Sequence, residues 1–337
     1  MLLNIFLQFG LIVSASWIAS HIYRVLAERF SIQADVVGRS AHTTSTATGA
    51  GVALLVVFVL SLALLNEIGI THQGDWLILI GPVLVCICGF FDDRHDLKVG
   101  VRLPIYVIAA IGSSIYIGFP KLLIFDYELQ LGLLGMAFGA ISLLWLQNLF
   151  NFMDGVDGFA ACEVIFVCSA VMLLSSSTAS SSLFVTTAVC CGYLLINWPV
   201  ARVFMGDAGS NFFGLLLGLF ALSEESVSLW VWMILLAQFL VDGCLTISMR
   251  AYRRVDIRQP HSQHCYQHMN RLLGTKKVLL WQALINTLWL LPLAYLANGS
   301  PEYGLVLLTL ASLPLILMFW LGGAGVDTPR LNYLVKN

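Results

Sequence analysis

Eleven apolar runs, most of them near the length that crosses a lipid bilayer, constrain this chain more than any other feature. A helix rises about 1.5 Å per residue and the hydrocarbon layer is about 30 Å thick, so about 20 apolar residues mark a spanning helix. Such runs fall at about 2–23, 49–68, 75–91, 101–119, 132–150, 156–174, 181–198, 209–223, 228–249, 278–297 and 303–321. Little is left over for a soluble domain. Of 337 residues, 59% are hydrophobic and 11% charged, with mean hydropathy +0.87, where a soluble domain carries about 25% charge. The expected architecture is an all-α polytopic membrane bundle of about eleven transmembrane helices, forming a single domain over 1–337. The first run has no Lys or Arg before its apolar core and no small-residue cleavage site, so it reads as a retained span. Net charge is −2, and no nucleic-acid partner is expected.

The basic residues orient the bundle. With loops numbered by the span they follow, loops one, three, seven and nine and the C-terminal tail hold 16 of the 17 Lys and Arg, and only Lys121 lies opposite. The odd loops are therefore expected in the cytoplasm, with the N-terminus outside and the C-terminus inside. The acids on the cytoplasmic side, Asp92, Asp93, Asp96, Asp154, Asp157 and Asp207, lie at or near helix ends among basic residues. A cation-dependent phosphate site needs such an arrangement. The loops expected to build it are 24–48, 92–100, 151–155, 199–208 and 250–277.

The densest cluster is NLFNFMDGVDG at 148–158, where Asn148, Asn151, Asp154 and Asp157 follow a spacing of three. On a helix such positions share nearly one face. Two amides and two carboxylates in register suit a hard divalent cation or the polar groups of a ligand; ordinary capping at a helix end is the plainer reading. Loop three opens with Asp92 and Asp93, adjacent carboxylates that repel unless one is protonated or a cation intervenes. Such a pair can hold Mg²⁺ or supply a base. In loop seven, Gly206 and Gly209 flank Asp207 where the eighth run begins, and a helix N-terminus there would offer N–H groups to phosphate. Asp207 reads as an N-cap, a metal ligand, or both. Glu163 lies inside the sixth run, facing either the polar site or a neighbouring helix. Asp242 lies about two turns from the cytoplasmic end of the ninth. His261, His264 and His268, at i, i+3 and i+7, would share a helical face in loop nine, where imidazoles among basic residues suit phosphate oxygens. Zinc is disfavoured because no cysteine pair has finger-like spacing. A solvated helix on anionic lipid is the plainer reading. The segment 121–131 alternates loosely with β-formers and reads as a small hairpin. The eight cysteines read as free, mostly within apolar spans.

These motifs, in order RSAH, FDDRHDL, NLFNFMDGVDG, FMGDAGS and HSQHCYQH, resemble those of the polyprenyl-phosphate N-acetylhexosamine-1-phosphate transferases, bacterial enzymes of glycosyltransferase family 4 related to phospho-N-acetylmuramoyl-pentapeptide transferase. The HxxHxYQH form is similar to members that initiate O-antigen or related surface glycans. The resemblance implies a reaction in which undecaprenyl phosphate attacks the β-phosphate of a UDP-N-acetylhexosamine at the bacterial inner membrane, on its cytoplasmic face, releasing UMP. It implies Mg²⁺, with Mn²⁺ as an alternative, held by Asp207 and Asp154. It makes Asp92 the candidate base with Asp93 beside it, and Asn148, Asn151, Asp154 and Asp157 the lining of the nucleotide and metal pocket. Phe204 takes the place of an aromatic packed on uracil, and His261, His264 and His268 contact the diphosphate. Membrane lipids are partners, and a homodimer is left open. Two departures stand out: 45–51 lacks the PTPRGGG pattern, and Asp96 replaces the Lys of DDxxK. The rivals are a transporter or lipid flippase, against which no clear repeat is found, and a CDP-alcohol phosphotransferase, whose motif requires an Arg soon after DG that DGVDGFAACE lacks.

Overall fold

The computed structural model describes residues 2–34, 46–67, 76–175, 181–257, 259 and 261–329. Arg39–His42 of the RSAH motif, Ser45, Arg258, Arg330 and Lys336 lie outside the described residues. Described residues form α1 (Leu2–Arg29), α2 (Gly51–Glu67), α3 (Ile80–His95), α4 (Val99–Ile117), α5 (Gly132–Met153), α6 (Phe159–Leu174) and α7 (Ser181–Asn197). They continue through α8 (Gly206–Ser223), α9 (Leu229–Leu235), α10 (Ala237–Tyr252), α11 (Cys265–Leu273), α12 (Thr275–Ile285), α13 (Leu291–Gly299) and α14 (Gly304–Leu321). Two small antiparallel ladders complete the set: β1 (Gln33–Ala34) with β2 (Thr46–Ala47), and β3 (Leu122–Ile124) with β4 (Tyr127–Leu129). The second is the hairpin expected at 121–131.

Each of the eleven apolar runs contains helix, but the expected count of eleven spans is not reached by length and composition. Six described helices are long and apolar enough to cross a membrane, or seven if one bent pair counts as a span. The reason is geometric. Gly51–Asn66, Phe159–Leu174 and Ser181–Asn197 are apolar but run only 16 or 17 residues, short of a full hydrocarbon thickness at helical rise. The ninth run is also corrected: it breaks at Leu236 into α9 and α10, bent by 70°. The tenth run is continuous through a π-helical turn at Asn286–Leu290. Pro292 explains that turn, because it has no N–H to donate and its ring crowds the carbonyl four residues back.

The core is centred on α8, where Ala208 to Leu222 are buried without interruption. In lipid the apolar driving force between helices is weak, so close packing must hold them. Gly214 and Gly218, four apart, let α5 approach: a Cβ at Gly214 would lie 2.8 Å from Gln147 Cα, and one at Gly218 would lie 2.7 Å from Leu143 Cδ2. Gly214→Leu would therefore separate α5 from α8. Loop seven is stitched to loop one by Phe204 N–H to Ala47 O (2.8 Å) and Ala50 N–H to Phe204 O (3.1 Å). Asn197, closing α7, accepts from Gly158 N–H (2.8 Å) and donates to Val203 O (2.9 Å). These ties gather the loops at one end of the bundle.

Candidate active site

The site begins with a helical hairpin. α3 ends at Asp96, an exposed residue in the left-handed region (φ 46°) whose N–H returns to Asp92 O. α4 starts three residues later, so the chain folds back on itself. Positions 92 and 102 lie equally far from the centre of this turn and come side by side. The Arg102 guanidinium ion-pairs with Asp92 and reaches Asp207 Oδ2 at 3.4 Å. Asp92 is buried, and its other oxygen accepts Leu97 N–H at 2.8 Å.

Asp93 faces the other way and caps α8. Its two oxygens accept Asp207 N–H (2.9 Å) and Ala208 N–H (3.1 Å). The expectation that this N-terminus offers its N–H groups to phosphate is thereby corrected: a protein carboxylate already takes those of the second and third helical residues, and helix polarity favours an anion there. Gly206 makes this possible, since its φ of +68° suits glycine and a Cβ would lie 2.3 Å from Asp93 Oδ2. The cap turns the Asp207 side chain outward, one-third exposed, where Oδ1 accepts Asn151 Nδ2 at 2.8 Å. Asn151 also reaches Ser210 Oγ at 3.1 Å.

The expected four-residue stripe does not form. α5 stops at Met153, with Asp154 as its C-cap, because the chain must reverse through Gly155 and Gly158 (φ +74°) into α6. Asn148 donates back into its own helix, to Leu144 O at 2.7 Å. Asp157 is buried and accepts Ala201 N–H at 2.9 Å, which ties loop five to loop seven. Asp154, half-buried, makes no side-chain hydrogen bond or ion pair among the described residues. Burial, followed by the charges of Asp207, Asp93 and Asp157, pushes its carboxyl well above the usual carboxylate range.

The histidines do not share a helical face. α11 begins only at Cys265, where Asp242 of α10 accepts Cys265 N–H (2.9 Å) and Tyr266 N–H (3.0 Å) and so fixes the helix start after His264. His261 and His264 therefore precede the helix, with rings stacked at 5.1 Å and both near Phe152. Only His268 is helical. It is buried, bonded through Nε2 to Val326 O (2.9 Å), and its Nδ1 lies 2.8 Å from Arg271. Burial and then Arg271 lower its pKa. The segment after α14 clasps this loop: Gly325 N–H donates to Gln263 O (2.9 Å), and Asp327 accepts from Gln263 Nε2.

Asp92, Asp93, Asn151 and Asp207 thus meet directly. Asp154 lies within reach of the Asp93 and Asp207 charges, with His261 and His264 alongside through Phe152. Asn148, Asp157 and His268 are engaged with protein partners. Phe204 is half-buried between loops one and seven. Glu163 faces a neighbouring helix: Gln282 (3.0 Å) and Asn286 (2.8 Å) donate to its Oε2. All eight cysteines are free. Sequence reasoning passed over Arg102, whose symmetry with Asp92 about a short interhelical turn was the available signal, and Tyr266, for which there was none.

Among the described residues no group of three or more His, Cys, Asp or Glu is arranged to hold a metal ion. Mg²⁺ asks for less than such a cage, since one or two carboxylates and the substrate phosphates commonly hold it. Asp207 and Asp154, both partly open, fit that demand.

The described residues thus form a helical bundle with apolar helices long enough to cross a membrane, and carboxylates and an arginine converge where several of its helices end. Residues 76–224 match the model for glycosyl transferase family 4. Similar proteins include the probable undecaprenyl-phosphate N-acetylglucosaminyl 1-phosphate transferase of Bacillus subtilis (strain 168), 24% identical over 205 residues, covering 57% of this chain and 57% of that protein. The phospho-N-acetylmuramoyl-pentapeptide-transferase of Chlamydia trachomatis serovar L2 is 29% identical over 136 residues, covering 38% of this chain and 40% of its own. The protein of the same name from Kosmotoga olearia is 27% identical over 186 residues, covering 50% and 57%. The chain spans about half the length of the curated relatives it matches. The likeness to glycosyl transferase family 4 thus rests on residues 76–224, the stretch that carries α3 to α8 and with them Asp92, Asp93, Asn151, Asp154 and Asp207.

Proposed function

We propose that the protein transfers N-acetylhexosamine-1-phosphate from a UDP-sugar to undecaprenyl phosphate, as the first membrane step of O-antigen or related envelope polysaccharide synthesis. An oxygen of the lipid phosphate bonds to the β-phosphorus, the bond from that phosphorus to the bridging oxygen breaks, and UMP leaves with the electron pair. Undecaprenyl-diphosphate-sugar remains in the membrane. The observation that carries this reading is the pairing of Arg102 with Asp92 and Asp207 beside Asp154, which has no side-chain partner among the described residues.

Transfer between two anions depends on charge neutralisation and in-line placement. Asp207 and Asp154 would hold Mg²⁺, which when bound supplies positive charge to the diphosphate. Arg102 exchanges its carboxylate partners for the lipid phosphate, and Asp92, released, takes a proton from that phosphate when it carries one. Asp93 keeps Asp207 turned outward. His261 donates to the diphosphate, His264, buried 3.6 Å from Asp242, backs it from inside, and Phe204 offers its ring to the uracil. The basic-residue asymmetry supports a mouth that opens to the cytoplasmic face of the inner membrane.

The bent α9–α10 pair favours a second reading, because discontinuous helices also build transporter sites. One experiment separates the two. Membranes containing the protein are given undecaprenyl phosphate, Mg²⁺ and a panel of UDP-N-acetyl sugars. UMP and a sugar-bearing lipid appear together for at least one sugar and not with Asp207→Asn; a transporter releases no UMP from either protein.

A further inference from the structure

We propose that Tyr266 is a positioning residue that fixes the turn carrying Asp154. The proposal rests on the transferase reading for its kinetic consequence and on geometry for the coupling itself. The Tyr266 hydroxyl donates to Phe152 O at 2.9 Å and accepts Gly155 N–H at 3.0 Å. Those two groups flank Asp154, the one carboxylate of the mouth that no described residue holds. Its direction is therefore set by its backbone, and that backbone is pinned from loop nine. The pin is itself rigid. The Tyr266 ring stacks on Phe159 at 4.7 Å and 8°, and Phe159 stacks on Phe239 at 5.1 Å and 12°. Asp242 holds the Tyr266 N–H. The fit leaves no slack, since a Cβ at Gly155 would lie 2.6 Å from the Tyr266 hydroxyl oxygen. The same segment presents His261 and His264 beside Phe152, so loops five and nine are joined at several points.

The test uses full-length Tyr266→Phe, which keeps the ring stack and removes one oxygen. Hydrogen exchange in the 152–158 peptide becomes roughly ten- to thirtyfold faster, the scale of losing both hydrogen bonds of that hydroxyl. Exchange in 265–273, whose first amides remain on Asp242, is unchanged. The kcat for UMP release falls roughly tenfold, as when a group that orients a ligand residue is removed. KM for the UDP-sugar changes less than about twofold, which a general loosening of the fold would not produce. Gly155→Ala slows wild type similarly but adds little to Tyr266→Phe, because the clashing oxygen is gone. Unchanged exchange at 152–158 overturns the proposal, and so does unchanged kcat in an active enzyme. If wild type itself releases no UMP, the transferase reading fails, and the exchange data alone decide whether Tyr266 holds the turn.

Discussion

The carboxylate mouth and the histidine loop are both dense in polar side chains, yet they spend them differently. At the mouth, one residue, Asp93, is given to structure, and by capping α8 it frees Asp207 to face outward. Asp92 and Asp207 share one exchangeable cation, and Asp154 has no partner among the described residues. In the histidine loop most polar groups are consumed. Asp242 starts α11, His268 holds the C-terminal segment, Gln263 binds that segment twice, and Tyr266 pins the neighbouring turn. A motif residue with a fixed protein partner holds the scaffold, whereas one with an exchangeable partner or none is placed to meet a ligand. The two regions are therefore expected to respond differently to substitution: activity at the mouth, order in the loop.

The largest separation is expected at Asp154. Asp154→Asn lowers UMP release by roughly 10² to 10³, the scale of losing a charged group at a reacting phosphate, and the thermal midpoint holds or rises because a crowded charge is removed. Next comes Arg102. Arg102→Ala leaves Asp92 and Asp207 facing each other without a counter-charge, and activity falls roughly 10- to 100-fold with lower stability. Asp92→Asn added to Arg102→Ala restores stability but not activity, which a melting curve and an UMP assay on the same samples resolve.

Smaller effects belong to the loop. Truncation after Leu321 removes the clasp on Gln263 and His268, raising apparent KM roughly fivefold with little change in kcat, the scale of one or two hydrogen bonds. The smallest is a pH effect. His268 has a folded pKa below its ordinary 6.5, so the unfolded chain binds the proton more readily. Its contribution to stability is complete above about pH 6.5 and declines as pH falls from there toward the lowered folded value. Exchange at 323–328 accelerates over that interval in wild type and not in His268→Gln.

The apolar helices and the polar positions were legible because hydropathy and residue type are local properties of the chain. The hairpin at 121–131 was legible from its alternation. What was not legible is where helices stop and what meets across the bundle. The spacing of three through Asp157 implied one stripe, but α5 ends at Met153 because two glycines permit a reversal. The spacing of the histidines implied one face, but a carboxylate 22 residues before His264 sets the helix start. Asp93 and Asp207 looked alike as acids at helix ends; only the packing of α3 against α8 distinguishes a cap from an exposed carboxylate. Length and composition support six or seven of the eleven runs as spans among the described residues, because several of the apolar helices are only 16 or 17 residues long and largely buried by protein.

The central claim is that the mouth around Asp154 and Asp207 handles substrate phosphates while its scaffold stays intact. The most direct test is UMP release by purified wild type and Asp154→Asn, supplied with undecaprenyl phosphate, Mg²⁺ and UDP-N-acetyl sugars, beside their melting curves. The account predicts UMP formed in step with sugar-bearing lipid by wild type, almost none from Asp154→Asn, and thermal midpoints no lower for the variant. An Asp154→Asn protein as active as wild type would contradict it.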